Sequence, residues 1–319
     1  MLPAPCRPLL HRCSQQAAAV DTVGAASRRR RHRPLCIPSG PIRASAVAQQ
    51  RRADAVGRMP PLAHREVMLE LAGEAEAALG ARLLPSEVPA DVAEFRNAAG
   101  NALGSVDVRR GVPGSSVDFT LEAWFHRQLP GGGAIDISSL IFVLNGATDA
   151  PHFLMEFIQG GPTSLVILLD LLPRKDLPLH PEYITKYYEA TGVDAHRRSI
   201  ERLPQVRPYV SPLLLVRSLW SPTAVVVDVQ CGEGREAALE EIVQGQLATS
   251  AKEVLGVWLE HSAAAVEMSD AERESMVARD KMISATELEL NLSANLPRMF
   301  DADISARVVA EIRKAFLGH

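Results

Sequence analysis

Two apolar runs joined by a tight turn constrain the fold of this chain more than any other feature. The runs cover residues 153–159 and 163–171, and the turn between them is Gly160-Gly161-Pro162. Apolar runs of this length on either side of a glycine and proline turn are typical of a β-hairpin. Because strands joined by short turns pair antiparallel, the centre of the chain is predicted to form an antiparallel sheet.

Glu156 is the one carboxylate inside the first run. Successive side chains of a strand point to opposite faces, so Glu156 shares a face with Leu154 and Ile158. If both faces of the sheet are covered, Glu156 is a buried acid. Burial disfavours the charged form of a carboxyl group and raises its pKa, so such a residue can donate a proton near neutral pH. A solvated edge position, or pairing with an arginine, is the alternative interpretation.

Further patterns predict strands in the middle of the chain and helices at both ends. Besides the first hairpin, the predicted strands are residues 104–110, 116–125, 135–144, 213–219 and 224–229. The predicted helices are residues 64–84, 181–190, 194–203, 235–244, 248–262, 269–290 and 303–317. This arrangement indicates an α+β domain in which helices cover a mostly antiparallel sheet.

The first 44 residues differ in composition from the rest. They contain eight arginines, no lysine and a single acid, Asp21. An arginine-rich, acid-poor start that contains serine is typical of an organelle transit peptide. The run from Arg28 to Arg33 would also suit nuclear import or RNA binding. Because Ile42-Arg43-Ala44 resembles a plastid processing site, residues 1–44 are predicted to be a transit peptide and residues 45–319 a single domain.

Charge and cysteine usage exclude several classes of function for residues 45–319. This range carries 26 basic and 37 acidic side chains, a balance that argues against nucleic-acid binding. Cys231 is its only cysteine, so an internal disulfide, a Cys-x-x-Cys redox pair and an iron–sulfur cluster are excluded there. The sequence also lacks HExxH, GxGxxG, P-loop and GxSxG motifs, so zinc protease, nucleotide-binding and esterase functions are unsupported.

Several long strings in the chain resemble one protein family. The strings are DAPHFLMEFIQ (149–159), PTSLV (162–166), LPRKDLPLHPEY (172–183), RPYVSP (207–212) and NLPRMF (295–300). They resemble the red chlorophyll catabolite reductases, plant enzymes of the ferredoxin-dependent bilin reductase superfamily. The likeness extends from about residue 64 to residue 316. It implies a three-layer α/β/α sandwich with a central, mostly antiparallel sheet and the substrate on one sheet face.

The resemblance also implies a reaction. Red chlorophyll catabolite, an open-chain tetrapyrrole, would be reduced at one methine-bridge double bond to a primary fluorescent catabolite during chlorophyll breakdown in senescence. Reduced ferredoxin would supply the electrons one at a time, and the protein would bind no flavin, nicotinamide or metal. The reaction would take place in the chloroplast stroma, and the protein would associate with the thylakoid. A homodimer and contacts with other chlorophyll-breakdown enzymes are also expected.

The family motifs assign roles to two positions near the reacting bond. By its match to FLxEFIQ, Glu156 resembles the acid beside the bound tetrapyrrole. A second acid is expected shortly before NLPRMF, but the ungapped position here is Asn291. This is a departure, because an amide cannot donate a proton as a carboxylic acid can. Asn291 is still predicted to line the pocket, and Glu287 or Glu289 would replace the acid after a small shift in register.

Two further residues are predicted to contact the substrate. Trp220 falls where the family carries an aromatic residue, usually Phe, that steers the stereochemistry of the new centre, so one dominant C1 epimer is expected. Core packing is the other interpretation of Trp220. Arg217, on the predicted strand 213–219, would pair with a substrate propionate, or would lie on the surface.

The acidic ferredoxin would need a local basic patch on this acidic protein. The candidate residues are Arg174, Lys175, Arg197, Arg198, Arg202 and Arg207. Two other functions remain open at this point. One is a plastid tetrapyrrole-binding or scaffold protein without catalysis, which the Asn291 departure favours, and the other is a phytobilin-type reductase that acts on biliverdin.

Overall fold

The computed structural model describes residues 41–317, except for the side chains of residues 41–44, 289–291 and 294. The predicted transit peptide therefore lies outside the described residues apart from its last four positions. At the centre is an eight-stranded antiparallel sheet with the order β1-β2-β3-β4-β5-β6-β8-β7. Its strands are β1 (Glu94–Arg96), β2 (Ala102–Arg110), β3 (Val117–Gln128), β4 (Ala134–Leu144), β5 (His152–Gly161), β6 (Ser164–Leu172), β7 (Val206–Pro208) and β8 (Val225–Gln230).

Helices precede and follow the strands. They are α1 (Pro41–Val56), α2 (Ala63–Leu79), α3 (Ala90–Ala93), α4 (Pro181–Ile184), α5 (Asp194–Glu201), α6 (Leu214–Leu219), α7 (Glu236–Ile242), α8 (Ala248–Ser262), α9 (Asp270–Thr286), α10 (Ser293–Met299) and α11 (Ala302–Leu317). Short 3₁₀ turns lie at Gly80–Arg82 and Leu177–Leu179. Wider π-helical turns lie at Thr185–Glu189, Val243–Leu247 and Glu287–Leu292.

Tight turns set the antiparallel pairing of the long strands. Between β3 and β4, Gly131, Gly132 and Gly133 all have positive φ, a conformation that is costly for residues with a Cβ atom. The pairing places Ser139 of β4 opposite Glu156 of β5. The first predicted hairpin is confirmed as β5 and β6.

The sheet separates two hydrophobic cores, because neighbouring side chains of each strand point to opposite faces. On one face, Phe153, Met155 and Phe157 pack with residues of α2, α7 and α8. On the other, Leu154 and Leu168 pack with residues of α9, α10 and α11. Helices therefore cover both faces, and the predicted three-layer sandwich with a central antiparallel sheet is confirmed.

The predicted strand 213–219 is wrong, because this segment forms the short helix α6. Its buried residues are Val216 and Leu219, which are three positions apart, whereas Leu214 and Leu215 are exposed. That spacing is helical, but a run of four apolar residues, 213–216, hides it. The partner of β8 on this side is β7, which the sequence did not reveal.

The helix α1 was also not predicted, since alanines supply most of its apolar positions. Its Arg52 forms an ion pair with Glu122 of β3, at 2.5 Å. The pair attaches α1 to the sheet face opposite Leu154. The long C-terminal helix, predicted as 269–290, is interrupted by the π-helical turn at Glu287–Leu292.

Candidate active site

A cavity opens between one face of the sheet and the segments that cover it. It has a volume of about 740 Å³, including the part open to solvent. The sheet contributes Phe125, Ile137, Glu156, Ile158 and Leu168, and the cover contributes Tyr209, Ser211, Val216, Trp220, Leu292, Asn295, Leu296 and Met299. A mostly apolar cavity of this size with a few polar groups has the character of a small-molecule site.

Glu156 is the only carboxylate among the described residues that line this cavity. It lies on β5 at the predicted position, on the same face as Leu154 and Ile158. Burial raises the pKa of its carboxyl group to about 7. A hydrogen bond from Ser139 Oγ to Glu156 Oε1, at 2.7 Å, acts in the opposite direction because it stabilises the charged form. The carboxyl group is therefore poised to hold and release a proton near neutral pH.

A second acid lies near Glu156 in the covering layer. Glu287 is buried in the π-helical turn, and its negative charge contributes to the raised pKa of Glu156. In this turn each helical turn takes up about one residue more than in an α-helix. The side chain of Asn291, predicted to line the pocket, lies outside the described residues, as does that of Glu289. Leu292 and Asn295, which follow Asn291 in the chain, do line the cavity.

Trp220 and Arg217 were both predicted to contact the substrate, and the structure separates them. Trp220 lines the cavity at the end of α6. Arg217 is exposed and does not line the cavity, although its neighbour Val216 does. Successive helical residues point about 100° apart, so the helix directs Arg217 away from the cavity wall. The strand assumed for Arg217 is wrong, since Arg217 lies on α6. Its pairing with a substrate propionate stays a prediction.

Asp170 is an acid near the site that the sequence interpretation missed. It is buried on β6 and accepts hydrogen bonds from the Ser221 backbone N–H and from Ser221 Oγ. Burial raises the pKa of Asp170 to about 6, against the effect of these bonds. The signal in the sequence was a lone aspartate inside the apolar run Leu165–Leu172, the same pattern that revealed Glu156.

Most residues of the predicted basic patch are buried or already paired with acids. Arg174 is fully buried, and its guanidinium binds Asp280 at 2.7 Å. Lys175 is mostly buried and pairs with Asp149 and Glu272. Arg197 and Arg198, also in that prediction, pair with acids of their own helix, Asp194 and Glu201. Of the six predicted residues, Arg202 and Arg207 remain exposed without an ion pair among the described residues.

Two further features are absent from residues 41–317. Among these residues, no three or more His, Cys, Asp or Glu side chains are grouped so that they could hold a metal ion. None of the described helices combines the length and the apolar character needed to cross a membrane.

Comparison with solved structures identifies the class of fold. The chain is similar to phytochromobilin synthase from tomato in complex with biliverdin, with a TM-score of 0.59 at 14% identity. The similarity covers 80% of this chain and 83% of that one. The fold is therefore that of the bilin reductases, as the sequence predicted.

Comparison with known sequences identifies the family within that class. The family model for red chlorophyll catabolite reductase (RCC reductase) matches residues 63–314. The chain is 57% identical over 281 residues to red chlorophyll catabolite reductase 1, chloroplastic, of Oryza sativa subsp. japonica, covering 87% of this chain and 85% of that relative. It is 41% identical over 256 residues to the chloroplastic red chlorophyll catabolite reductase of Arabidopsis thaliana, covering 79% of this chain and 80% of that relative. The chain belongs to the red chlorophyll catabolite reductase family.

Proposed function

We propose that this protein is a chloroplast oxidoreductase that reduces red chlorophyll catabolite at one methine-bridge double bond, with reduced ferredoxin as the electron donor. The observation that carries the proposal is the position of Glu156, an acid with a raised pKa in the wall of a largely apolar cavity. The names of the relatives and the matched family support the substrate. Their names also support the chloroplast.

The reaction needs two electrons and two protons. The π bond of the methine bridge is lost and two C–H bonds form, so each electron must be matched by a proton. Glu156 is proposed to donate one of them, because near neutral pH a large share of its carboxyl groups is protonated. The apolar wall around Glu156 would exclude water and shelter the radical present between the two electron transfers.

The second proton needs another donor or a water held in place. Asn291 is proposed to line the pocket and to position a water or a substrate oxygen through its amide. Among the described residues, Glu287 is the best candidate for the second proton donor, because its charge acts on Glu156 from the covering layer. Replacement of Asn291 by Asp is therefore expected to preserve or increase turnover.

The electron donor is proposed to dock at the mouth of the cavity. Three exposed arginines adjoin residues that line it: Arg207 lies two positions before Tyr209, Arg217 follows Val216, and Arg298 precedes Met299. Among the described residues, none of the three arginines has an ion-pair partner. An acidic electron carrier would find uncompensated positive charge there. Arg217 thus keeps a role at the entrance, either with the carrier or with a substrate propionate.

The experiment that tests this function compares binding with turnover in a Glu156→Gln variant. The amide keeps the shape of the side chain but cannot donate the proton, so turnover should fall by about 10²-fold or more, the usual scale for a general acid. Affinity for the tetrapyrrole should change little. A Glu267→Gln variant, at an exposed position, is the matched control and should keep full activity.

The result also separates an enzyme from a carrier. If the wild-type protein binds the tetrapyrrole tightly but yields no product, and Glu156→Gln changes nothing, the protein is a tetrapyrrole-binding protein without catalysis. Biliverdin, tested beside red chlorophyll catabolite, distinguishes a phytobilin-type reductase in the same assay.

A further inference from the structure

Asp170 lies beside the cavity without lining it. It sits on β6, between β5 and β8, and only 3% of its surface is exposed. Asp170 pairs with Leu154 across the β5–β6 ladder, and Glu156 pairs with Leu168. Directly paired residues share a sheet face, so Asp170 and Glu156 both point toward the covering layer.

Both oxygens of the Asp170 carboxylate are used to hold one residue. The Ser221 backbone N–H donates to Oδ2 at 2.8 Å, and Ser221 Oγ donates to Oδ1 at 2.5 Å. Ser221 Oγ in turn accepts a hydrogen bond from the Thr223 N–H at 3.1 Å. The turn that begins at Ser221 is therefore attached to an interior strand of the sheet by buried, charge-assisted bonds.

The held residue directly follows Trp220, the aromatic wall of the cavity. Trp220 closes α6 in an extended conformation, with φ of −69° and ψ of 152°. The helix α6 has six residues, and Leu214 within it is 73% exposed. A helix this short is marginal without tertiary contacts. On its C-terminal side, the position of the Trp220 ring thus depends on the bonds between Ser221 and Asp170.

We propose that Asp170 is a positioning residue for Trp220: by holding Ser221, it fixes the indole ring in the cavity wall and so determines which face of the bound tetrapyrrole receives the proton. This inference rests on the proposed function, because the selectivity concerns its reaction. Asp170 itself touches neither the cavity nor the reacting bond.

The ionisation of Asp170 agrees with this role. Its pKa of about 6 leaves the carboxylate charged in neutral solution, where both oxygens can accept. An asparagine at this position would present one oxygen and one N–H₂ group. One of the two Ser221 donors would then face another donor, and the turn would shift.

The test uses Asp170→Asn and Ser221→Ala, with Ser218→Ala as the matched control. Ser218 is an exposed serine of α6 whose hydroxyl bonds to Leu215 O within the same helix. The first readout is acrylamide quenching of tryptophan fluorescence. Trp124 and Trp258 are 2% and 0% exposed, so the quenchable signal comes from Trp220. The second readout is the epimer ratio of the product with red chlorophyll catabolite and reduced ferredoxin.

We expect both variants to give a mixture of epimers and to show increased quenching. The effects of Ser221→Ala should be smaller than those of Asp170→Asn, because Ser221→Ala keeps the bond from the backbone N–H to Asp170. Ser218→Ala should match the wild type in both readouts. A folded Asp170→Asn or Ser221→Ala protein with wild-type quenching and a wild-type epimer ratio would overturn the proposal. If Asp170→Asn does not fold, Ser221→Ala decides, since it removes a single hydroxyl.

The two readouts also separate this inference from the function it rests on. If the wild-type protein forms no product, the proposed function fails. Quenching, measured with and without bound tetrapyrrole, then still decides whether Asp170 holds Trp220. If product forms and quenching changes while the epimer ratio does not, the positioning of the ring is supported and its part in selectivity is overturned.

Discussion

At the scale of single residues, the chemistry depends on opposing influences on one carboxyl group. Burial raises the pKa of Glu156, while the hydroxyl of Ser139 stabilises its charged form. The resulting pKa of about 7 matters because a general acid works best when its pKa lies close to the working pH. A residue that shifts this balance should shift the pH at which the enzyme loses activity.

Replacing Ser139 with alanine should move the alkaline limb of the pH–rate profile to higher pH. The protonated form of Glu156 is the donor, so turnover falls as pH rises through its pKa. Without the Ser139 hydrogen bond the charged form is less stable, the pKa rises further, and protonated Glu156 persists to higher pH. Single-turnover rates measured from pH 5 to 9 check this.

Ser138, next to Ser139 in the chain, provides a control, because replacing it with alanine also removes a buried hydroxyl. Ser138 is buried on the other face of β4, and its Oγ has no hydrogen-bond partner among the described residues. A Ser138→Ala variant should leave the alkaline limb where it is. An unmoved limb in Ser139→Ala, or one at lower pH, would show that Ser139 does not tune Glu156.

At the scale of elements, a buried ion pair fixes α9, the helix that leads to Glu287 and the covering layer. Asp280 of α9 binds the guanidinium of Arg174 and accepts a hydrogen bond from His152 Nε2 at 3.0 Å. The tautomer of His152 is set because its Nδ1 accepts the Leu144 N–H. Burial alone would raise the pKa of Asp280, but His152 and Arg174 lower it to about 2.

An Asp280→Asn variant should lower the free energy of unfolding by about 3–5 kcal/mol, because it leaves the charge of Arg174 buried without a counter-ion. Denaturant titration measures this change. An Asp91→Asn variant, which removes an exposed pair with Arg307, should change it by at most about 1 kcal/mol. Equal effects of the two substitutions would contradict the anchoring role of Asp280.

The pH dependence of stability provides a second check on the same pair. The pKa of Asp280 is depressed in the folded state, so its contribution is fully present above the ordinary carboxyl pKa of 3.8. It is lost as pH falls through about 2. The difference in stability between wild type and Asp280→Asn should therefore shrink between about pH 4 and pH 2.

The elements also show what the sequence can and cannot predict. Alternating apolar residues and glycine turns identified β2 to β6, and with them the face of Glu156, because pattern and burial agree there. The helix α6 was mistaken for a strand because the four consecutive apolar residues 213–216 show no periodicity. The π-helical turn at Glu287–Leu292 leaves no local signal, so which acid faces Glu156 could not be read from spacing. The part played by Asp170 could not be predicted either, because it depends on hydrogen bonds between β6 and the turn at Ser221, 51 residues further along the chain.

At the scale of the whole molecule, the overall charge opposes the proposed electron donor. Residues 45–319 carry 26 basic and 37 acidic side chains, so an acidic carrier is repelled except where positive charge is local. Arg207, Arg217 and Arg298 are exposed next to residues of the cavity wall, while buried Arg174 is committed to Asp280. The entrance of the cavity is thus the expected docking surface.

Charge reversal at this entrance should slow ferredoxin-supported turnover. A double variant, Arg207→Glu with Arg217→Glu, should raise the apparent KM for ferredoxin, most at low ionic strength, because salt screens the attraction in the wild type. Arg51→Glu is the matched control, since Arg51 is exposed on α1 at the opposite sheet face. If the double variant and Arg51→Glu have the same apparent KM for ferredoxin at every salt concentration, ferredoxin docks elsewhere.

The most direct measurement is anaerobic incubation of the purified protein with red chlorophyll catabolite and reduced ferredoxin. Blue fluorescence would be followed over time, and the product epimers would be separated by chromatography. We predict a fluorescent product that forms only when reduced ferredoxin is present and consists mainly of one epimer. With Glu156→Gln it should form about 10²-fold more slowly or not at all. Tight binding of the tetrapyrrole without any fluorescent product would contradict the assignment of Glu156 as the proton donor of a reductase.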